Sequence, residues 1–267
     1  MNNYKLHFGF TKNPFPQNIA VKNLLQTNQM LGVADRIQYA VELGGAAIVT
    51  GEVGTGKSTA LRYAISGFHP AEYNILYVTA TTGSAIEIYK QICLELKIDL
   101  KSQSKSFLIK QIKSAVLDFW SRKQRPILII DEASLLRIDI FAELHTITQF
   151  DIDSTPKLPI ILAGQNNLID SLQYQPSRAF SSRIVARSKL ESLKLSETKT
   201  YLLHHLKLAG NEHNLFTESA ITAIHKLSSG MLRKINNIAR GSLIAATSNQ
   251  SQLVEPEHVQ IAASEVF

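Results

Sequence analysis

The chain has 267 residues, 45% apolar and 19% charged, which excludes a disordered chain and suits one large domain or a large and a small one. No apolar run reaches the roughly 18 residues that span a bilayer, MNNYKLHFGFTKNPF is not a secretory leader, and a single cysteine excludes an internal disulfide framework, so the expectation is a cytoplasmic protein with no membrane partner. The net charge of +6 fits an acidic partner such as nucleic acid, although many soluble proteins are as basic.

Residues 1–45 mix aromatics with turn signals (FGF at 8–10, NPFP at 13–16) and then predict a helix over 28–44. From there short apolar runs alternate with helical patterns. AAIVTG (46–51) precedes a helix at 57–68, and NILYVTA (74–80) precedes one at 84–98, in which Cys93 takes a core position. A basic helix at 104–122 leads to PILIIDE (126–132), a helix at 138–150 leads to LPIILAG (158–164), and RIVARSKLESL (183–193) is the fifth run. Five short strands separated by helices predict an α/β domain with a parallel sheet and right-handed crossovers. Beyond residue 195 the pattern is helical, over 196–210, 217–230, 231–248 and 256–266. Ser196, Thr217 and Glu255 stand near helix starts, Pro256 suits a first helical position, and Gly210 and Gly230 suit helix ends. The expected division is therefore 1–194, an N-terminal segment plus the α/β domain, and 195–267, a small helical domain.

GEVGTGKST (51–59) follows the first strand and opens a helix. The spacing Gly51-x-x-x-x-Gly56-Lys57-Ser58 is that of a phosphate-binding loop. Such a loop, here Gly51, Glu52, Val53, Gly54, Thr55, Gly56, Lys57, Ser58 and Thr59, needs glycines so that backbone N–H groups approach phosphate oxygens without a side-chain clash. The helix that follows offers its N-terminus to the same anion. Lys57 would neutralise the β- and γ-phosphates of ATP, and the Ser58 hydroxyl would ligate Mg²⁺. ILIIDE (127–132) ends an apolar strand in two acids. Asp131 would hold Mg²⁺ through its water shell, and Glu132 would polarise the attacking water, which favours hydrolysis over nucleotide storage.

These two motifs, five strands and a helical tail resemble an AAA+ ATPase, that is, a P-loop NTPase domain followed by a helical lid. FGF…NPF, GEVGTGKST, IIDEASLL, LPIILAGQNNL, SSRIVAR and SSGMLRKINNIARGSLIAA together resemble its ExeA-like branch, which includes general secretion pathway protein A and the ATP-dependent regulators of DNA transposition. The resemblance implies strand order 5-1-4-3-2. It implies a γ-phosphate or water contact for Gln165, with Asn166 as the fallback and standing where the family often has proline. Arg183, with Arg178 as rival and Arg187 less suited, would reach a neighbouring subunit's γ-phosphate, and Arg233 of the lid would contact phosphate in its own subunit; Leu232 stands where proline is common.

Two client roles fit this resemblance. In the first, ATP assembles the chain into a homo-oligomeric ring or filament on duplex DNA, which it presents to a transposase. The stretch between residues 100 and 126 carries seven Lys or Arg against one acid, and Lys101, Lys105, Lys110 and Lys113, at spacings that place several on one helical face, would contact phosphates; the alternative is a solvated charged face. In the second, the chain drives assembly of an envelope machine. The secretion protein of this branch carries a membrane segment after its ATPase part, and the end of this chain at Phe267 makes the first role the expected one. The eight histidines form no metal-ligand pattern, and His204-His205 is expected on a partly exposed helix face.

Overall fold

The computed structural model describes residues 3–266; Met1, Asn2 and Phe267, which the expected division includes, lie outside the described residues. In chain order the elements are α1 (Asn3–His7), α2 (Asn28–Leu43), β1 (Ala46–Gly51), α3 (Lys57–Ile65), β2 (Tyr73–Thr79) and α4 (Ala85–Glu95). Then come α5 (Lys105–Ser121), β3 (Arg125–Asp131), α6 (Ile138–Thr148), β4 (Ile160–Gly164), α7 (Asn167–Gln173), α8 (Arg178–Ser181) and β5 (Ile184–Leu190). The chain continues with α9 (Leu195–Leu208), α10 (Glu218–Ser228), α11 (Leu232–Ser248) and α12 (Pro256–Val266).

Two compact units result. The α/β unit comprises Thr27–Glu52 and Lys57–Leu190, and the helical unit comprises the described residues up to Gln26, Val53–Gly56 and Glu191 onward. Within the α/β unit one sheet runs β2-β3-β4-β1-β5, with every neighbouring pair parallel, as the resemblance implies. The burial of each strand follows from its place in that order. The central strands β1, β3 and β4 are covered on both faces, and apart from Arg125 every residue in them is buried. The edge strands β2 and β5 alternate instead, exposing Tyr77 and Thr79 on one and Arg187 and Lys189 on the other. Ile48, Leu128, Ile130 and Leu162 from the sheet pack with Ile92, Cys93, Ile112 and Phe141 from the helices into one core. Burial pushes the Cys93 thiol up to about 11, so it stays a protonated core residue.

The helical unit has its own core, from Leu202, Leu206, Ile221, Ile235, Ile238 and Leu243. Thr217 caps α10 by accepting from the Ala220 N–H at 3.2 Å. The first residues belong here rather than with the sheet, which corrects the expected division. Phe8, Phe10 and Phe15 are buried in the helical core, the Thr11 N–H donates to the Ala209 carbonyl at 2.9 Å, and Arg240 donates to the Phe15 carbonyl. The turn-flanked aromatics are buried in that core because three large rings gain more from leaving water than their short segment loses in freedom.

His205 is also a correction. Only 3% of it is exposed, and its ring stacks on Phe15 with centroids 5.1 Å apart. Its Nδ1 is buried without a hydrogen-bond partner among the described residues. His204 is half-buried and bonds the Asn23 carbonyl through Nε2 at 2.8 Å. Burial, with a smaller contribution from His204, pushes His205 down from 6.5 to about 4. The folded state therefore resists a proton that the unfolded chain accepts, so stability is full above the unfolded value and is lost as pH falls from about 6.5 towards 4. The loss from this one group is roughly 3 kcal/mol. Denaturant melts over that pH range should show the decline, and His205→Phe should flatten it.

Candidate functional site

β1 ends at Gly51 and α3 begins at Lys57, so the five residues between them form the loop that the motif requires. Gly54 and Gly56 have φ of 87° and 97°, a region that glycine enters without the penalty a Cβ imposes. Lys57 is 7% exposed, and its ammonium donates to the Gly51 carbonyl at 2.8 Å and the Glu52 carbonyl at 3.0 Å. The loop's own backbone thus holds the cation at the mouth of α3. Thr55 is buried, Thr59 half-buried, and Glu52 and Val53 face out.

Opposite Lys57 and Ser58 in sequence, but beside them in space, is the end of β3. Asp131 is only 5% exposed, and its carboxylate is held by three donors. Ser58 Oγ donates to Oδ2 at 3.0 Å, Tyr77 OH donates to the same oxygen at 2.6 Å, and the Glu132 N–H donates to Oδ1 at 2.9 Å. A hydroxyl and a carboxylate 3.0 Å apart are hard oxygen donors of the kind that Mg²⁺ takes together with phosphate oxygens and water. The residues present therefore fit the metal and a phosphate. Glu132 itself sits in the left-handed region (φ 53°, ψ 31°), a costly conformation for a residue with a Cβ and one that sharply redirects the chain after Asp131.

Gln165 and Asn166 follow β4, which pairs with both β1 and β3. Asn166 Nδ2 donates to Glu52 Oε1 at 2.6 Å, tying the turn after β4 to the phosphate loop, while Gln165 is half-buried. Of the two, the one that reaches a loop side chain is Asn166. Arg183 precedes β5, and its Nε donates to His145 Nδ1 at 2.9 Å while its Nη2 pairs with Asp153. That bond needs an unprotonated Nδ1, and burial together with the Arg183 charge lowers the His145 pKa accordingly. Arg178 and Arg187 are exposed. Within the helical unit the Arg233 N–H donates to the Gly54 carbonyl at 3.2 Å, and a Cβ on Gly56 would lie 2.8 Å from Leu232 Cδ1.

The four lysines do not form a single stripe. Lys101 precedes α5, Lys105 pairs with Glu143, and Lys113 donates to the Gln149 carbonyl at 2.9 Å with its ammonium over the Phe150 ring. Lys110 lies on the exposed side of α5. The helix buries Leu108, Ile112 and Val116 against the core, Lys105 stands at the N-terminal end of that stripe and Lys113 beside it, and their acceptors are Glu143 of α6 and Gln149 just after it.

Tyr77 is the site residue that the sequence reading missed. Its only sequence signal is an outward position near the end of a strand, and its link to Asp131 depends on the β2–β3 pairing, which places Tyr77 across from Ile129, two residues short of Asp131. Burial, Asp131 and Glu132 all push its phenol well above the usual tyrosine range, so it remains a hydrogen donor.

Residues 41–172 match the AAA domain family. General secretion pathway protein A of Aeromonas hydrophila is 29% identical over 265 residues, 98% of this chain and 48% of that protein, so the chain spans about half the length of this relative. The crystal structure of Cdc6p from Pyrobaculum aerophilum superposes with a TM-score of 0.72 at 17% identity, over 98% of this chain and 71% of that one. The Aeropyrum pernix ORC1 protein in complex with DNA gives a TM-score of 0.68 at 15% identity, over 92% and 67% of the two chains. The fold is the P-loop AAA+ fold: a five-stranded parallel sheet in the order seen here, flanked by helices. No helix among the described residues is long and apolar enough to cross a membrane.

Gly164 closes β4 against the turn that carries Glu132. A Cβ there would meet the Ser134 main-chain nitrogen at 2.8 Å and Ser134 Cβ at 3.2 Å. Because the obstacle includes backbone, Gly164→Ala should cost about 1–3 kcal/mol in urea denaturation. A cost under about 0.5 kcal/mol would mean that the turn after Asp131 yields freely.

Proposed function

We propose that the chain binds ATP with Mg²⁺ and hydrolyses it to ADP and phosphate. The observation that carries this reading is the Asp131 carboxylate held against Ser58 at 3.0 Å, with Lys57 buried one residue earlier on the same helix start. The backbone amides of the loop and the N-terminus of α3 receive the phosphates, and Lys57 turns its ammonium from the Gly51 and Glu52 carbonyls towards them. Ser58 and Asp131 would hold Mg²⁺, which when bound neutralises charge on the phosphate oxygens. Glu132 accepts a hydrogen bond from the attacking water and orients it in line with the terminal phosphorus. Gln165, with Asn166 beside it, contacts the γ-phosphate or the water. Arg183 serves a neighbouring subunit's phosphate once its bonds to His145 and Asp153 are exchanged, with Arg178 as the exposed rival, and Arg233 serves as the phosphate contact of the helical unit.

For the client we infer that ATP-bound subunits assemble as a homo-oligomer on duplex DNA and engage a transposase. The basic stretch around α5 and the DNA complex of a protein with the same fold support that reading. Lys101 and Lys110, exposed, would be its phosphate contacts, whereas Lys105 and Lys113 would first have to leave Glu143 and the Gln149 carbonyl. A second reading, an assembly ATPase of the secretion kind, is favoured by the 29% identity to general secretion pathway protein A across 98% of this chain.

Lys57→Ala should weaken ATP binding by roughly tenfold to a hundredfold and abolish turnover; unchanged turnover would refute the phosphate-loop assignment. Glu132→Gln should keep ATP binding and lower turnover by about 10²–10⁴, and normal hydrolysis would exclude Glu132 as the water-orienting group. In gel-shift titrations, duplex binding should require ATP and weaken as salt rises, and Lys110→Ala should reduce the salt slope by about 1. ATP-replete protein that ignores duplex DNA would leave the secretion-type reading.

A further inference from the structure

We propose that Tyr77 is a positioning residue for the metal site: its phenol fixes the rotation of the Asp131 carboxylate and thereby sets the affinity for Mg²⁺. The inference rests on the reading of Ser58 and Asp131 as the Mg²⁺ residues. A carboxylate turns easily about its last torsion, which has broad, roughly two-fold preferences, so an aspartate at a strand end keeps one orientation only if donors approach from several directions. Asp131 has three. The Glu132 N–H comes from its own chain and serves Oδ1, at 2.9 Å. Ser58 comes from α3 and Tyr77 from the edge strand β2, and both serve Oδ2, at 3.0 and 2.6 Å.

These three bonds occupy three of the about four acceptor positions of a carboxylate and leave one on Oδ1 for a metal-bound water. Ser58 cannot fix the orientation alone, because it would itself be drawn to the metal. Tyr77 does not share that conflict. It stands on a different strand, one residue before Val78, whose side chain is buried in the sheet core and anchors β2 at this point. The phenol is the shortest of the three contacts, and a hydrogen bond to a charged acceptor is about twice as strong as a neutral one.

The test is a titration of Mg²⁺ into the protein with a fluorescent ADP analogue, comparing wild type, Tyr77→Phe, Asp131→Asn and the double variant, with thermal melts to verify folding. Tyr77→Phe should bind the analogue within twofold of wild type in EDTA. The Mg²⁺ concentration at which binding tightens should rise about fivefold to tenfold. In the Asp131→Asn background the same change should have no further effect, because its partner is gone. A merely structural tyrosine would lower the melting temperature in both backgrounds and leave the Mg²⁺ midpoint in place, and that outcome overturns the proposal. An equal midpoint shift in the Asp131→Asn background also overturns it. Wild-type protein that binds no nucleotide would defeat the ATP reading and this inference together, whereas a normal Mg²⁺ response in both wild type and Tyr77→Phe would defeat the inference alone.

Discussion

The end of β3 is organised around one carboxylate. Asp131 is almost wholly buried at the end of a central strand, where a lone charge would be too costly to keep. It persists because Ser58, Tyr77 and the Glu132 N–H each give it a hydrogen bond. Those donors come from the helix after the phosphate loop, from the edge strand and from the residue next in the chain. The sheet order matters for this reason: β3 lies between β2 and β4, and β4 lies beside β1, so the order brings the phosphate loop, the acidic strand end and the Asn166 turn to the same end of the sheet.

The backbone next to Asp131 is strained at Glu132. Glu132 takes a left-handed conformation, and Gly164 permits a main-chain approach to Ser134 that no Cβ would allow. These positions turn the chain as soon as the aspartate has been placed, so that the two neighbouring acids have different surroundings. One is held as a buried acceptor, and the other is half-exposed and available to water.

Much of this was legible in the sequence, for identifiable reasons. β1, β3 and β4 are buried on both faces and therefore read as continuous apolar runs such as ILIID and IILAG, and the phosphate loop follows one of them at a fixed spacing. What escaped depended on pairing across distance. Tyr77 looks like any outward tyrosine until the β2–β3 register brings it near Asp131. The aromatics of FGF and NPF carry no periodicity, yet they fill a core made by helices nearly two hundred residues later. The local sequence places His205 on a partly exposed helix face, but Phe15 and Tyr201 pack against its ring. Lysines spaced along α5 suggested one charged face, and the acceptors Glu143 and Gln149, invisible in the local sequence, divide it.

The central claim, that Asp131 and Ser58 form a Mg²⁺-nucleotide site with the phosphate loop, is tested most directly by calorimetric titration of ADP into wild type and Asp131→Asn, each with and without Mg²⁺. The account predicts that Mg²⁺ tightens binding to wild type and that Asp131→Asn loses this increment while keeping the metal-free affinity. Binding that is indifferent to Mg²⁺ in wild type, or an increment that survives intact in Asp131→Asn, would contradict it.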